Sequence, residues 1–253
     1  MKRRIVGVIP SRWGSTRFPG KSLALIGGKP LLAWVVERTR QAARLDEIWV
    51  ATDDERIAAA ARGWGAQAVM TRSDHPSGTD RIAEAVQGID ADVVINIQGD
   101  EPLIDPGLID RVAEVLADSG EWDMATAATP LQDAEELHNP DVVKVVRALD
   151  GRALYFSRSV IPFVRGAAPG FAPVKGMHFR HVGLYGYRRA FLERLVKEPP
   201  CGLENLEKLE QLRALALGCR MVVLDCAAVG IGVDSPADVP KAEALMRDAG
   251  LLK

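Results

Sequence analysis

Over the first two-thirds of the chain, short apolar runs alternate with amphipathic stretches, and few folds accommodate that rhythm. Residues 5–9, 48–51, 66–70, 93–97 and 124–128 form brief runs, several of them rich in β-branched residues. They predict largely buried, mostly parallel strands. Between them, 30–43, 54–62, 78–86 and 106–117 carry helical patterns. Pro30 and Pro106 suit first-turn positions, and Asp105 suits the N-cap before Pro106. This alternation predicts a doubly wound α/β sheet with right-handed crossovers. At 253 residues the chain fits one such domain with a modest subdomain.

After Pro130 the rhythm changes. Residues 142–149 and 152–156 flank Asp150-Gly151, a two-residue hairpin signal. A Gly/Pro/Ala-rich loop follows at 165–176, then a long strand at 179–187. Residues 131–200 therefore read as a β-rich subdomain within the single 1–253 domain, suited to a lid or a dimer contact. Leucines at 203, 206, 209, 212 and 215 predict one helix over 203–217 with a core-facing stripe. A last strand, 221–224, precedes a closing helix over 236–249 that Ser235 is placed to cap.

Several function classes are disfavoured. A net charge of −2 gives no nucleic-acid signal, and no run approaches the roughly 18 apolar residues of a membrane span. Pro10, Ser11 and Arg12 end the first apolar run too early for a signal peptide. Cys201, Cys219 and Cys226 form no CxxC and predict reduced, structural thiols in a cytoplasm. His178 and His181, three apart in a predicted strand, face opposite sides and predict no zinc site.

Charge is distributed unevenly. Lys2, Arg3, Arg4, Arg12, Arg17, Lys21 and Lys29 all precede the first acid, Glu37. Three of these cations sit in the loop Ile9-Pro-Ser-Arg-Trp-Gly-Ser-Thr-Arg-Phe-Pro-Gly-Lys-Ser22, which follows the first predicted strand. Ligands of open α/β sheets bind beyond the carboxyl ends of strands. Gly14 and Gly20 allow close backbone approach, and Ser15 and Thr16 add hydroxyls, a composition suited to a polyphosphate. It is not a Walker A loop: five residues separate Gly14 from Gly20, and Pro19 removes an N–H. Gly230-Ile-Gly232 is likewise only a weak dinucleotide echo. Asp100 emerges from the run 93–97, and Asp234 lies in the loop before the last helix. Two carboxylates plus substrate phosphates are enough to hold Mg²⁺.

At these residues the sequence resembles the 3-deoxy-manno-octulosonate (Kdo) cytidylyltransferases. Ser11-Arg-Trp-Gly-Ser-Thr-Arg-Phe-Pro-Gly-Lys21 is similar to the family's A-R-Y-x-S-T-R-L-P-G-K loop. Further blocks follow in order. They are Ala51-Thr-Asp53, Thr71-Arg-Ser-Asp-His75 with Ser77-Gly-Thr79, Gln98-Gly-Asp-Glu-Pro102, Asn139-Pro, and Val142-Val-Lys-Val-Val146. Ala153-Leu-Tyr-Phe-Ser-Arg158, Arg180-His181, Tyr185-Gly-Tyr187, Leu203-Glu204, Leu209-Glu-Gln-Leu-Arg213 and Gly232-Val-Asp234 complete them. Trp13, Phe18, Ser11 and Ser235 depart from the usual Tyr, Leu, Ala and Thr. Trp13 and Phe18 bear on how the loop packs.

The resemblance implies a Rossmann-like nucleotide-diphosphosugar transferase fold, with a mostly parallel mixed sheet flanked by helices. It implies transfer of CMP from CTP to Kdo with Mg²⁺, releasing pyrophosphate, for lipopolysaccharide biosynthesis in a cytoplasmic homodimer. Arg17, Lys21 and Asp100 are the implied catalytic residues, and Arg12, Ser15, Arg72, Ser77, Gly78 and Gln98 the implied nucleotide contacts. Arg158, His181, Tyr185, Glu210 and Gln211 would line the sugar pocket, and Asp100 and Asp234 would hold the metal. The competing readings are a cytidylyltransferase for another ulosonic acid, such as 8-amino-Kdo or a sialic-acid-like sugar, and a non-catalytic nucleotide-binding regulator.

Overall fold

The computed structural model describes residues 3–15, 17–227 and 230–252. Its first half runs β1 (Ile5–Ser11), β2 (Leu25–Ile26), β3 (Lys29–Pro30), α1 (Leu31–Thr39), β4 (Glu47–Thr52), α2 (Glu55–Gly63), β5 (Gln67–Met70), α3 (Gly78–Ala85), β6 (Val93–Asn96) and α4 (Pro106–Asp118). Then come β7 (Met124–Pro130), α5 (Ala134–His138), β8 (Lys144–Arg147), β9 (Ala153–Ser157), β10 (Phe179–Arg188), α6 (Arg189–Leu195), α7 (Gly202–Glu207), α8 (Gln211–Ala216), β11 (Met221–Asp225) and α9 (Val239–Asp248).

The main sheet has the order β11-β7-β10-β6-β1-β4-β5. β1 pairs in parallel with β4 and β6, β4 with β5, and β7 with β11. Only β10, antiparallel to both β6 and β7, interrupts this arrangement along the main row. The doubly wound, mostly parallel expectation therefore holds. The apolar runs lack polar alternation because both faces are covered. Ile5 and Ile9 of β1 point into one core, with Ile95, Ile109 and Leu116. Val6 and Val8 point into the other, with Val94, Ile82 and Phe156.

The helix starts follow local chemistry. Asp54, Ser77 and Asp105 each accept a backbone N–H at the start of α2, α3 and α4. Ser235 and Asp238 form a capping box around a 3₁₀ turn, Pro236–Asp238, and α9 begins only at Val239. α1 begins after Pro30 and ends at Thr39, four residues short of the predicted end.

The chain between β7 and α6 adds a hairpin to the sheet. β8 pairs with β10 and with β9. The turn differs from the two-residue form expected. Ala148 N–H donates to Arg152 O at 2.8 Å, enclosing Leu149, Asp150 and Gly151, with Gly151 at φ 85°. A left-handed glycine of this kind closes a three-residue loop with a bulge, Gly151 and Arg152 facing Ala148, and a separate irregularity shifts the register between Val146 and Arg147. His178 precedes β10 instead of lying in it. Its Nδ1 accepts the Val174 N–H at 2.8 Å.

The single helix expected over 203–217 is broken. Lys208 adopts φ 55°, and its N–H closes α7 on Glu204 O at 2.8 Å. The change of direction separates the leucines. Leu209 and Leu212 are buried, while Leu203 and Leu206 are 46% and 83% exposed. The core stripe therefore belongs to the second segment. No helix among the described residues is long and apolar enough to cross a membrane.

Candidate active site

Strand order reverses around β1: β4 and β5 lie on one side, β6 and β10 on the other. A crevice at such a reversal, beyond the strands' carboxyl ends, is where open α/β sheets bind ligands. A cleft of about 310 Å³ lies there, lined by Arg12, Ser15, Arg17 and Lys21 from the loop after β1. Ser77 and Gly78 at the start of α3 line it too, as do Gln98 and Asp100 after β6 and the distant Asp234. A second cleft of about 390 Å³ shares Gly78, Gln98, Asp100 and Asp234 with the first. Tyr185, Glu210 and Gln211 also line it.

The two carboxylates meet at the junction. Lys21 Nζ donates to Asp100 Oδ2 at 2.7 Å and to Asp234 Oδ1 at 3.0 Å, and Arg17 lies 3.2 Å from Asp234. Burial alone would lower the Lys21 pKa, but the charges and hydrogen bonds of Asp100 and Asp234 outweigh it. The net shift is upward. Two carboxylates from separate loops thus already share one cation, a hard oxygen donor set that fits Mg²⁺. Among the described residues no three His, Cys, Asp or Glu converge as a metal cluster. A metal at this pair would therefore draw its remaining ligands from water and substrate.

In the second cleft, the break between α7 and α8 puts Glu210 at the N-cap of α8 instead of on a solvent-facing helix flank. Gln211 is buried beside it. Burial raises the Glu210 pKa, opposed by a Thr79 hydrogen bond and the Arg213 charge. Tyr185 is aimed by an irregularity in β10. The register with β7 shifts between Val182 and Tyr185, and Thr126 Oγ1 donates to the carbonyl of Leu184 at 2.8 Å. Bulges beside active sites commonly redirect side chains in this way.

Three of the residues singled out from sequence line neither cleft. His181 is packed behind Tyr185, ring centroids 5.3 Å apart, with Nε2 3.0 Å from Thr126 Oγ1. Burial pushes its pKa down to about 3, so the ring is neutral. Arg158 is engaged elsewhere, its Nε donating to Glu207 O at 2.8 Å and an Nη to Pro140 O at 3.0 Å. The Arg72 side chain is 67% exposed, outside the first cleft.

Other lining groups were not singled out. Arg81 is a buried guanidinium in the wall of the first cleft, donating to Thr71 Oγ1 at 2.6 Å and Asp53 Oδ2 at 3.2 Å. It lies one helical turn beyond Ser77, a spacing that the predicted α3 already contained. Glu101, next to Asp100, lines the second cleft; burial, then the Asp100 charge, raise its pKa to about 7. His75 also lines the first cleft, its ring bonded to Glu84.

A cytidylyltransferase family model matches residues 6–221. A 3-deoxy-manno-octulosonate cytidylyltransferase from Geobacter sulfurreducens is 49% identical, over 94% of this chain and 97% of that protein. The chain belongs to this family. The namesake from Myxococcus xanthus is 50% identical, over 98% of each chain. A solved structure of a CMP:2-keto-3-deoxy-manno-octonic acid synthetase complexed with CTP superposes with a TM-score of 0.90. It is 42% identical, covering 97% of this chain and 99% of that one. A 4-diphosphocytidyl-2C-methyl-D-erythritol synthase from Anaerococcus prevotii, 14% identical with a TM-score of 0.65 over 97% of this chain and 96% of that one, shares the fold alone. The family resemblance, the Rossmann-like nucleotidyltransferase fold and the enzyme class expected from sequence all stand. A non-catalytic regulator is disfavoured.

Proposed function

We propose that the chain transfers CMP from CTP to the anomeric hydroxyl of Kdo, with the nucleotide in the first cleft and the sugar acid in the second. The observation that carries this is the junction: two clefts of different character meet at Asp100 and Asp234. A reaction that joins two substrates needs such a shared point, where the reacting atoms are held in contact.

Arg12, Ser15, Arg17 and Lys21 face the triphosphate, and their charges stabilise the departing pyrophosphate. Ser77, Gly78 and Gln98 form the cytidine side of the cleft. Glu210, Gln211 and Tyr185 bind sugar hydroxyls. The sugar hydroxyl gives its proton to solvent as its oxygen attacks the α-phosphorus in line and the bond to the bridging oxygen of pyrophosphate breaks. Asp100 and Asp234 would hold Mg²⁺, which would supply charge neutralisation and a lowered pKa for the attacking hydroxyl. His181 backs Tyr185 in the wall of the sugar site, whereas Arg158 is held by Glu207 and Pro140 away from both clefts. Arg72 lines a neighbouring hollow together with His75 and Pro76, two residues that also line the first cleft.

The exposed apolar residues Leu149, Phe163 and Met177, on the hairpin and the loop after it, support a second copy docking there as a homodimer. The three free thiols support a reducing compartment, the cytoplasm. The deciding experiment mixes the protein with CTP, Mg²⁺ and each of several ulosonic acids while following pyrophosphate release. Release with Kdo supports the assignment. Release only with an amino-Kdo or a sialic-acid-like sugar replaces the substrate, and no release with any sugar acid removes the activity.

A further inference from the structure

Trp13 lies inside the loop that lines the first cleft, yet it lines neither cleft. Its carbonyl accepts the Ser15 N–H at 2.9 Å and the Gly20 N–H at 3.2 Å, so two parts of the loop close on one oxygen. Its own N–H donates to Asp53 Oδ1 at 3.0 Å. The other oxygen of Asp53 holds Arg81, the buried guanidinium in the cleft wall. The indole packs on Gly20, where an added Cβ would stand 3.1 Å from the ring. Gly20 is at φ 69°, a conformation that glycine adopts without strain. The Arg56 guanidinium lies 3.4 Å from the centroid of the indole and is fixed in turn by Asp54 at 2.6 and 2.9 Å. The first turn of α2 thereby holds the ring that the loop is folded around.

We propose that Trp13 is a positioning residue for the transfer reaction, fixing the relative placement of Arg12 and Lys21, the cations before and after it. Removing the ring takes away the packing surface under Gly20 and the cation–π contact with Arg56. The hydrogen bonds to the Trp13 backbone then lack a ring behind them, and the cations lose their common aim. Displacements of about 1 Å at a reacting centre can cost about a hundredfold in rate. The proposal rests on reading the first cleft as the nucleotide site.

Trp13→Ala should raise KM for CTP about tenfold and lower kcat, leaving KM for the sugar acid within about twofold. Trp13→Tyr, which keeps a ring on Gly20, should restore most of the loss. Arg56→Ala should raise KM for CTP by a few-fold. Calorimetric titration of CTP and of CMP separates positioning from packing, because the loop cations act on the phosphates that CMP lacks. Trp13→Ala should weaken CTP while leaving CMP unchanged. Equal weakening of both, or a lowered melting temperature with CTP affinity intact, would overturn the proposal. If the wild-type protein binds CTP no more tightly than CMP, the phosphate reading itself fails and takes the proposal with it. If wild type prefers CTP and Trp13→Ala keeps that preference, only the role of Trp13 is lost.

Discussion

Lys21→Met tests the junction of the two clefts without any substrate. In the wild-type protein the Lys21 ammonium bridges Asp100 and Asp234, and its side chain is only 16% exposed. Breaking a buried ion pair costs about 3–5 kcal/mol, whereas an exposed pair contributes about 0–1 kcal/mol. Asp100 is the more buried partner and Asp234 is half exposed, so the loss lies between these limits, at about 2 kcal/mol. For a chain of this length that is a fall in Tm of about 4–8 °C. The Lys21 pKa is raised in the folded state, so its contribution is fully present below the unfolded value and fades only as pH rises through the folded one. A measurement near neutrality sees all of it.

The same substitution leaves two carboxylates facing each other without their shared cation. Mg²⁺ then has no ammonium to displace, and millimolar metal without nucleotide should recover most of the lost Tm in the variant while barely moving wild type. A metal at about a hundred times its Kd stabilises by about 2.7 kcal/mol, enough to account for such a recovery. Differential scanning calorimetry across a Mg²⁺ series reads both effects. The loss of free Mn²⁺ signal in electron paramagnetic resonance reads metal binding directly. Equal Mg²⁺ shifts in wild type and variant would refute the idea that ammonium and metal compete for one pair of carboxylates.

Asp100→Asn and Asp234→Asn should each lower kcat about a hundredfold or more with the fold intact by circular dichroism; turnover within a few-fold of wild type would remove that residue from the reaction. Glu101 has a folded pKa raised to about 7, so the folded protein binds its proton more tightly than the unfolded chain does. Its effect is a loss of stability as pH rises from the ordinary carboxylate range through about 7, on the order of 3 kcal/mol. Glu101→Gln should flatten that slope in urea midpoints measured at acid and alkaline pH; an unchanged slope would contradict the burial argument. A Cβ at Gly186 would stand 2.6 Å from Leu116 Cδ1 and 2.7 Å from Val112 Cγ1, both on the buried face of α4. Gly186→Ala should therefore destabilise by about 1–3 kcal/mol in denaturant titration, and a neutral result would mean that α4 yields easily.

The parallel half of the fold was legible because its strands are buried on both faces and because Asp105 before Pro106 marks the start of α4. That the loop cations and Asp100 would line one cleft was legible too, since each follows a predicted strand. What stayed hidden depends on geometry without local periodicity. The left-handed turn at Lys208 breaks a leucine spacing that reads as continuous, and lysine gives no warning of it. Arg158 ends an apolar strand as predicted, but whether a cation there faces a cavity depends on Glu207 and Pro140, which lie on other segments. Arg81 looks like any helix-surface arginine until Asp53 and Thr71 are brought beneath it.

The ion pair between Lys21 and Asp234 also bears on how the protein matures during synthesis. These residues are 213 positions apart, and Val233, beside Asp234, packs with Ile26, Leu31 and Trp34 from the start of the chain and with Ala242 and Met246 of α9. Among the described residues the strands of the central sheet precede this segment and are able to assemble as they leave the ribosome, whereas the second carboxylate is made only after them. Ordering of the loop around Lys21 is thus tied to the arrival of the C-terminal segment, a long-range closure of the kind that slows folding. A nascent chain halted after β11 would hold its sheet and two layers of core yet lack Asp234 at the junction of the two clefts. Completion of the junction between the two clefts is in this sense a late event, and lesions that spare the sheet but remove the segment after β11 should yield folded, inactive protein.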